Sequence, residues 1–395
     1  MGSQSHHDVL APADPEDVGL SSARLRILDE ALTDEVTAGR MPGAVVAIAR
    51  AGRLAHLRAV GYRDAAAGVP MTTDTLFWIA SMTKPVVAAG ALTLYEQGRL
   101  LLTDPLAEHL PEFADQQVAV VDPVTDAMKL VDPARPPQVY DLLRHTSGII
   151  EGLLGTTPVH RLYAEAVGDG VSGHTGQEFI DRLARLPLLH QPGAEWHYGL
   201  GFDLTGLIIE RLCGTTLHAF LRERILDPLG MHDTTFAVPE GHSDRLARPR
   251  IRDRSHVRFD HGGSGLYGTA TDYLRFAQML LGAGQLGATR VLGRKTVELM
   301  TTDQLDPRTD TQRLETMADW SRGYGFGLGL AVRGPGGAPA VGSPGEVTWP
   351  GAPGTYWWAD PREDLAVVLL NHIEDRAARA RQFQLIRTLV LRSLT

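Results

Sequence analysis

Strand-forming runs gather at the two ends of this 395-residue chain, and a long helical middle separates them. Near the start, "GAVVAIARAGRLAHLRAVGYRD" (43–64) holds two β-rich runs joined by "AGR", the pattern of a hairpin. Near the end, "GYGFGLGLAV" (323–332), "GTYWWADP" (354–361) and "DLAVVLLNH" (364–372) read as strands broken by turns. A strand leaves backbone N–H and C=O groups unpaired until another strand meets it. The simplest solution brings both chain ends into one antiparallel sheet. Helical periodicity supplies cover for its faces. Leu25, Leu28, Leu32 and Val36 recur at helical spacing within residues 22–39, a segment capped by Ser21 or Ser22 and ended near Gly39. "DRAARARQFQLIRTLVLRSL" (375–394) reads as a closing helix. The expected architecture is α/β plus all-α: an antiparallel sheet flanked by helices, with a mostly helical domain inserted. The expected boundaries are 1–81 and 318–395 for the sheet domain and 82–317 for the helical one.

Charge and cysteine usage narrow the function classes. Net charge is −9 and no basic run of five residues occurs, so neither nucleic acid nor an anionic membrane surface is expected as a partner. No span of eighteen apolar residues predicts a membrane helix. The polar stretch "MGSQSHHDVLAPADPEDVGL" lacks the pattern of a secretion signal, which places the expected location in the cytoplasm. Cys213 is the single cysteine, so an intrachain disulfide is excluded. Its setting, "IIERLCGTTL", reads as a helix end closing on Gly214, where a thiol packs rather than reacts. With no His-Glu-x-x-His motif and no cysteine cluster, no metal or other cofactor is expected.

The stretch "SMTKPVVAAG" (81–90) carries the chemistry. The chain has three lysines, Lys84, Lys129 and Lys295, against thirty-five arginines, yet one of them stands three residues after Ser81. By chance well under one Ser-x-x-Lys is expected from this composition, and this is the sole instance. Pro85 has no N–H and fits only the first turn of a helix, so the helix must begin close to Ser81. Residues three apart then share a face, and hydroxyl and amine meet. Helix N-termini also present unpaired N–H groups and partial positive charge, a suitable setting for a nucleophile whose product is an oxyanion. Lysine suits this position because a desolvated amine can lose its proton, whereas a guanidinium stays charged. A neutral Lys84 could therefore activate Ser81.

"SMTK", "LLRHTSGI" (142–149), "GGSGLYGTATDYLRFAQMLL" (262–281) and "YGFGLGL" (324–330), in this order, resemble the serine β-lactamase and penicillin-binding-protein superfamily. Within that superfamily the chain is most similar to the family VIII carboxylesterases. The likeness runs over about residues 15–390 and implies the β-lactamase/transpeptidase-like fold. It implies Ser81 as nucleophile, Lys84 as its partner, and Tyr198 in "EWHYGLGFDLTGLIIERL" (195–212) as the third catalytic residue. It also implies an oxyanion hole from the backbone N–H groups of Ser81 and Ala352. Leu200 stands where β-lactamases carry an amide-binding Asn, and Trp349, Pro350 and Gly351 stand where they carry a Lys-Thr-Gly strand. Trp349, Gly351 and Leu200 are thus expected to bind substrate, and loss of the cation points to a neutral acyl or alkyl group. The implied activity is cleavage of a small-molecule carboxylic ester through a Ser81 acyl-enzyme. An acyltransferase loading an alcohol acceptor would use the same residues. A β-lactamase or DD-peptidase is disfavoured by Leu200 and Trp349.

Overall fold

The structure is a computed structural model that describes residues 9–168, 173–248, 257–318, 320–373 and 375–395. Its main feature is an eight-stranded sheet built from both chain ends. The first end gives β1 (Gly43–Arg50), β2 (Arg53–Asp64) and β3 (Val69–Pro70). The other gives β4 (Tyr324–Phe326), β5 (Ala331–Arg333), β6 (Val347–Thr348), β7 (Tyr356–Asp360) and β8 (Leu365–Asn371). Their spatial order is β4-β5-β6-β7-β8-β1-β2-β3, with every neighbouring pair antiparallel. The two ends meet where β1 pairs with β8, in a register that sets Val46 opposite Leu369 and Ile48 opposite Val367. The predicted hairpin joins β1 to β2 through Ala51 and Gly52, both with positive φ, the geometry that follows the right-handed twist of paired strands.

Alternation along the central strands explains why they are apolar on both faces. Val46, Ile48, Val367 and Leu369 point into one core with Leu25, Leu28, Phe383, Ile386 and Val390. These come from helix α1 (Ser22–Thr37) and the C-terminal helix (Arg376–Arg392). Ser21 caps α1 by accepting the Arg24 N–H at 3.3 Å, and Asp375 caps the C-terminal helix through Ala378. Val45, Ala47, Val368 and Leu370 point the other way, into a core shared with Tyr273, Phe276 and Ala277. Those belong to the helix Ala270–Leu281, which lies on the sheet although its number falls within the 82–317 span. A helix-covered sheet of this kind buries side chains of both parities, so strict polar alternation disappears.

Behind that second face, α2 (Thr83–Glu96) is buried over nearly its whole length and packs against α3 (Gly201–Cys213). An amphipathic pattern is absent from α2 because neighbours surround it. No helix of the described residues is long and apolar enough to cross a membrane.

Candidate active site

Ser81 sits in a single 3₁₀ turn, Ala80–Met82, that runs directly into α2. The turn is fixed from outside the helix. The Ile79 N–H donates to Leu266 O at 3.0 Å, Thr83 Oγ1 accepts the Leu266 N–H at 3.0 Å, and the Tyr273 hydroxyl donates to Met82 O at 2.9 Å. Ala80 has φ +46°, a left-handed conformation uncommon for a residue with a side chain. Held strain of this kind, immediately before a reactive side chain, presents Ser81 outward instead of letting the helix bury it.

Three side chains converge there. Ser81 Oγ lies 2.6 Å from the Tyr198 hydroxyl, and Lys84 Nζ lies 2.5 Å from that hydroxyl and 3.4 Å from Ser81 Oγ. Lys84 is only 3% exposed and donates also to Gly263 O at 2.7 Å. Tyr198 precedes α3 and is backed by aromatic rings. It stacks on Trp349 at 5.7 Å and meets the His145 ring at 4.7 Å. His145 Nδ1 accepts the Gly199 N–H, which ties the tyrosine segment to the turn at 145–148. Burial, with Lys84 nearby, holds His145 well below the usual histidine range, so it is a neutral packing partner.

The carbonyl that receives Lys84 is itself positioned. Asp203, buried on the first turn of α3, accepts the Gly263 N–H at 3.0 Å, and His261 Nδ1 lies 3.3 Å away. Burial would raise the Asp203 carboxyl, but hydrogen bonding to His261, the Lys84 charge and the Gly263 N–H outweigh it and hold the group below its ordinary value. Gly263 thus links the two side chains, its N–H bonded to Asp203 and its carbonyl to Lys84.

These residues open into a cavity of about 190 Å³ lined by Trp78, Ser81, Lys84, Glu151, Leu153, Leu154, Tyr198, Leu200, Asp203, His261, Ser264 and Ala352. Two of the sequence expectations require correction. Trp349 does not reach the cavity: it is 0% exposed and packs behind Tyr198 with Trp196, Trp320 and Phe326. It supports the tyrosine and is not a wall for substrate. Gly351 also stays outside. A Cβ there would come within 2.1 Å of Thr355 Oγ1 and 2.4 Å of Ile79 O, so the close approach that excludes a side chain is made by the chain itself. Leu200 and Ala352 do line the cavity, and Ala352 is exposed. Among the described residues, neither the Ser81 nor the Ala352 N–H donates to a protein acceptor.

Sequence reasoning passed over Leu153 and Leu154, and over the Gly263 carbonyl, which lies within a quoted motif but had no assigned task. A larger cavity, about 820 Å³, is bordered by Gln177, Glu210, Arg211 and Phe259. Among the described residues its lining holds no serine, cysteine, lysine or histidine.

Comparison with known proteins agrees with this geometry. The family model described as Beta-lactamase matches residues 28–390. An uncharacterized protein of Mycobacterium tuberculosis is 38% identical over 371 residues, spanning 87% of this chain and 89% of its own. Esterase EstB of Burkholderia gladioli is 32% identical over 340 residues, spanning 82% and 81%. Among solved structures, "EstCE1, a hydrolase with promiscuous acyltransferase activity" superposes with a TM-score of 0.77 at 27% identity, covering 94% of this chain and all of that one. The sheet from both chain ends, the Ser-x-x-Lys turn and the family match together establish that this chain belongs to the Beta-lactamase family, on the esterase-like side of the serine β-lactamase superfamily.

Proposed function

We propose that the protein is a serine carboxylesterase that works through an acyl-enzyme on Ser81. The observation that carries this reading is the triangle of Ser81 Oγ, Lys84 Nζ and the Tyr198 hydroxyl, closed by contacts of 2.5–3.4 Å. Ser81 Oγ attacks the ester carbonyl carbon while its proton passes to the Tyr198–Lys84 pair. The negative oxygen of the tetrahedral intermediate is held by the N–H groups of Ser81 and Ala352. Collapse breaks the bond to the alcohol oxygen, which takes a proton from the Tyr198 hydroxyl and leaves. Water then repeats the sequence on the acyl-enzyme, giving the carboxylic acid and restoring Ser81.

The cavity favours a neutral small-molecule ester over a β-lactam. Leu200 offers no hydrogen bond to an amide, and among the described residues Lys84, already engaged by Gly263, is the only basic side chain lining the cavity apart from His261. An alcohol could replace water in the second step, and the likeness to EstCE1, a hydrolase with promiscuous acyltransferase activity, favours this second reading. The test is turnover of short p-nitrophenyl esters beside nitrocefin, with Ser81→Ala as control. The expected result is a kcat/KM for the esters far above that for nitrocefin and loss of ester turnover in the variant. An equal or higher kcat/KM for nitrocefin would overturn the assignment in favour of a β-lactamase.

A further inference from the structure

Leu153 and Leu154 are 58% and 54% exposed, and both line the cavity that holds Ser81. A single exposed leucine is ordinary on a protein surface, but two in succession at the mouth of a reactive cavity form an apolar patch that a ligand can cover. The turn that carries them, Gly152–Leu154, is built firmly. The Leu154 N–H donates to Glu151 O at 3.1 Å. Gly152 lies flat on the helix Pro158–Val167, where a Cβ would come within 2.4 Å of Ala164 N and 2.8 Å of His160 O. The patch is therefore held in place before any ligand arrives, which reduces the ordering cost of binding.

Its location within the site is specific. The Glu151 N–H donates to Tyr198 O at 3.2 Å, so the two leucines follow directly from the segment bonded to the catalytic tyrosine. In the reaction proposed above, the Tyr198 hydroxyl protonates the departing alcohol oxygen. The alcohol half of the ester must then lie on the Tyr198 side, beside Leu153 and Leu154. The acyl half lies toward Ser81 and Ala352, within the same small cavity of about 190 Å³. Resting on that reading of the reaction, we propose that Leu153 and Leu154 form the alcohol-binding subsite, and that the preferred substrates are esters joining a short acyl group to an apolar alcohol.

Two ester series test the proposal. Acetates of methanol, ethanol, butanol and hexanol vary the alcohol; ethyl acetate, butyrate, hexanoate and octanoate vary the acid. For the wild type, kcat/KM should rise about two- to fourfold per added methylene in the alcohol series, the effect of placing each methylene on apolar surface. It should level or fall in the acyl series beyond the butyrate. A Leu153→Ser/Leu154→Ser double variant should keep its melting temperature, because both side chains are exposed. It should lose the dependence on alcohol length through KM. If the dependence instead follows acyl length, or survives in the double variant, the subsite is elsewhere. Labelling of Ser81 by a fluorophosphonate reports separately on the underlying reaction. A wild type that is not labelled refutes the serine mechanism, whereas a labelled enzyme with the wrong chain-length profile refutes only the subsite.

Discussion

Lys84 and Tyr198 share one hydroxyl contact, and their separate contributions can be read by single-atom and single-group changes. Lys84→Arg can still donate to Gly263 O but removes the amine that shares the Ser81 proton with Tyr198. Its kcat on an ester should fall by ~10²–10⁴, the range for general acid–base catalysis. Retention of more than about a tenth of the wild-type kcat would remove Lys84 from the proton path. Tyr198→Phe is the finer test. The ring keeps its stacking on Trp349 and its contact with His145, and only the hydroxyl between Ser81 and Lys84 is lost. The melting temperature should stay close to wild type while kcat falls on the order of 10²-fold or more. A variant that melts early yet is fully active per folded molecule would make Tyr198 a packing residue. At this scale the sequence was informative where spacing is local. Ser81 and Lys84 are one helical turn apart, so their meeting could be read directly. The partnership of Asp203 with Gly263 spans sixty residues and leaves no periodic trace. Trp349 was misplaced because a short strand does not disclose which side its next residue takes, and here the indole turned toward Tyr198 and the core.

Among the elements, the loop after β6 joins the sheet to the nucleophile turn. The Gly351 N–H donates to Thr355 O at 2.8 Å, and the residue packs against Ile79 O, one peptide before the Ala80–Met82 turn. Gly351→Ala inserts a methyl where backbone stands 2.4 Å away, so either this loop or the Ser81 turn must shift. Overpacking of this kind costs about 1–3 kcal/mol, and thermal melting should show a drop of several degrees. Because the displaced peptide carries the Ala352 N–H, kcat should fall as well. Unchanged melting and unchanged kcat together would show that the loop yields freely and does not set the site. The strands and both helices of the sheet's outer face could be anticipated from apolar runs and capping residues. The placement of the helix Ala270–Leu281 on the sheet could not, since its apolar stripe would serve equally against other helices.

Across the whole molecule, buried histidines make stability depend on pH. Burial holds His145 well below the usual histidine range, holds His190 below it, and lowers His160 to about 4. Arg313 and His197 add to the effect at His160. In the unfolded chain these groups take up a proton near the ordinary value of 6.5, whereas the folded protein resists it. Their contribution is therefore fully present above about 6.5 and is lost as pH falls toward 4. Asp272 acts in the opposite sense: burial raises it to about 6, so the folded state keeps its proton longer and loses that advantage as pH rises through 6. Burial raises Glu210 and Glu346 in the same sense as Asp272. Glu112, lowered to about 2 by its hydrogen bonds to Arg211, and Asp203 side with the histidines, so the melting temperature should decline from pH 7 to pH 4. A melting temperature that is flat or rises over that interval would contradict the account. Such buried polar groups are hard to foresee from composition, because a histidine in a core and one on a surface look alike until the packing is known.

In the proposed reaction Ser81 carries the acyl group. This is tested most directly by quenching the protein in acid during turnover of p-nitrophenyl acetate and measuring the mass of its peptides. The expected result is one acetyl increment, on the peptide containing Ser81, that builds up before steady state, decays once the ester is consumed and is absent from Ser81→Ala. Steady ester turnover with no acetylated peptide, or an acetyl group on another residue that persists in Ser81→Ala, would contradict it.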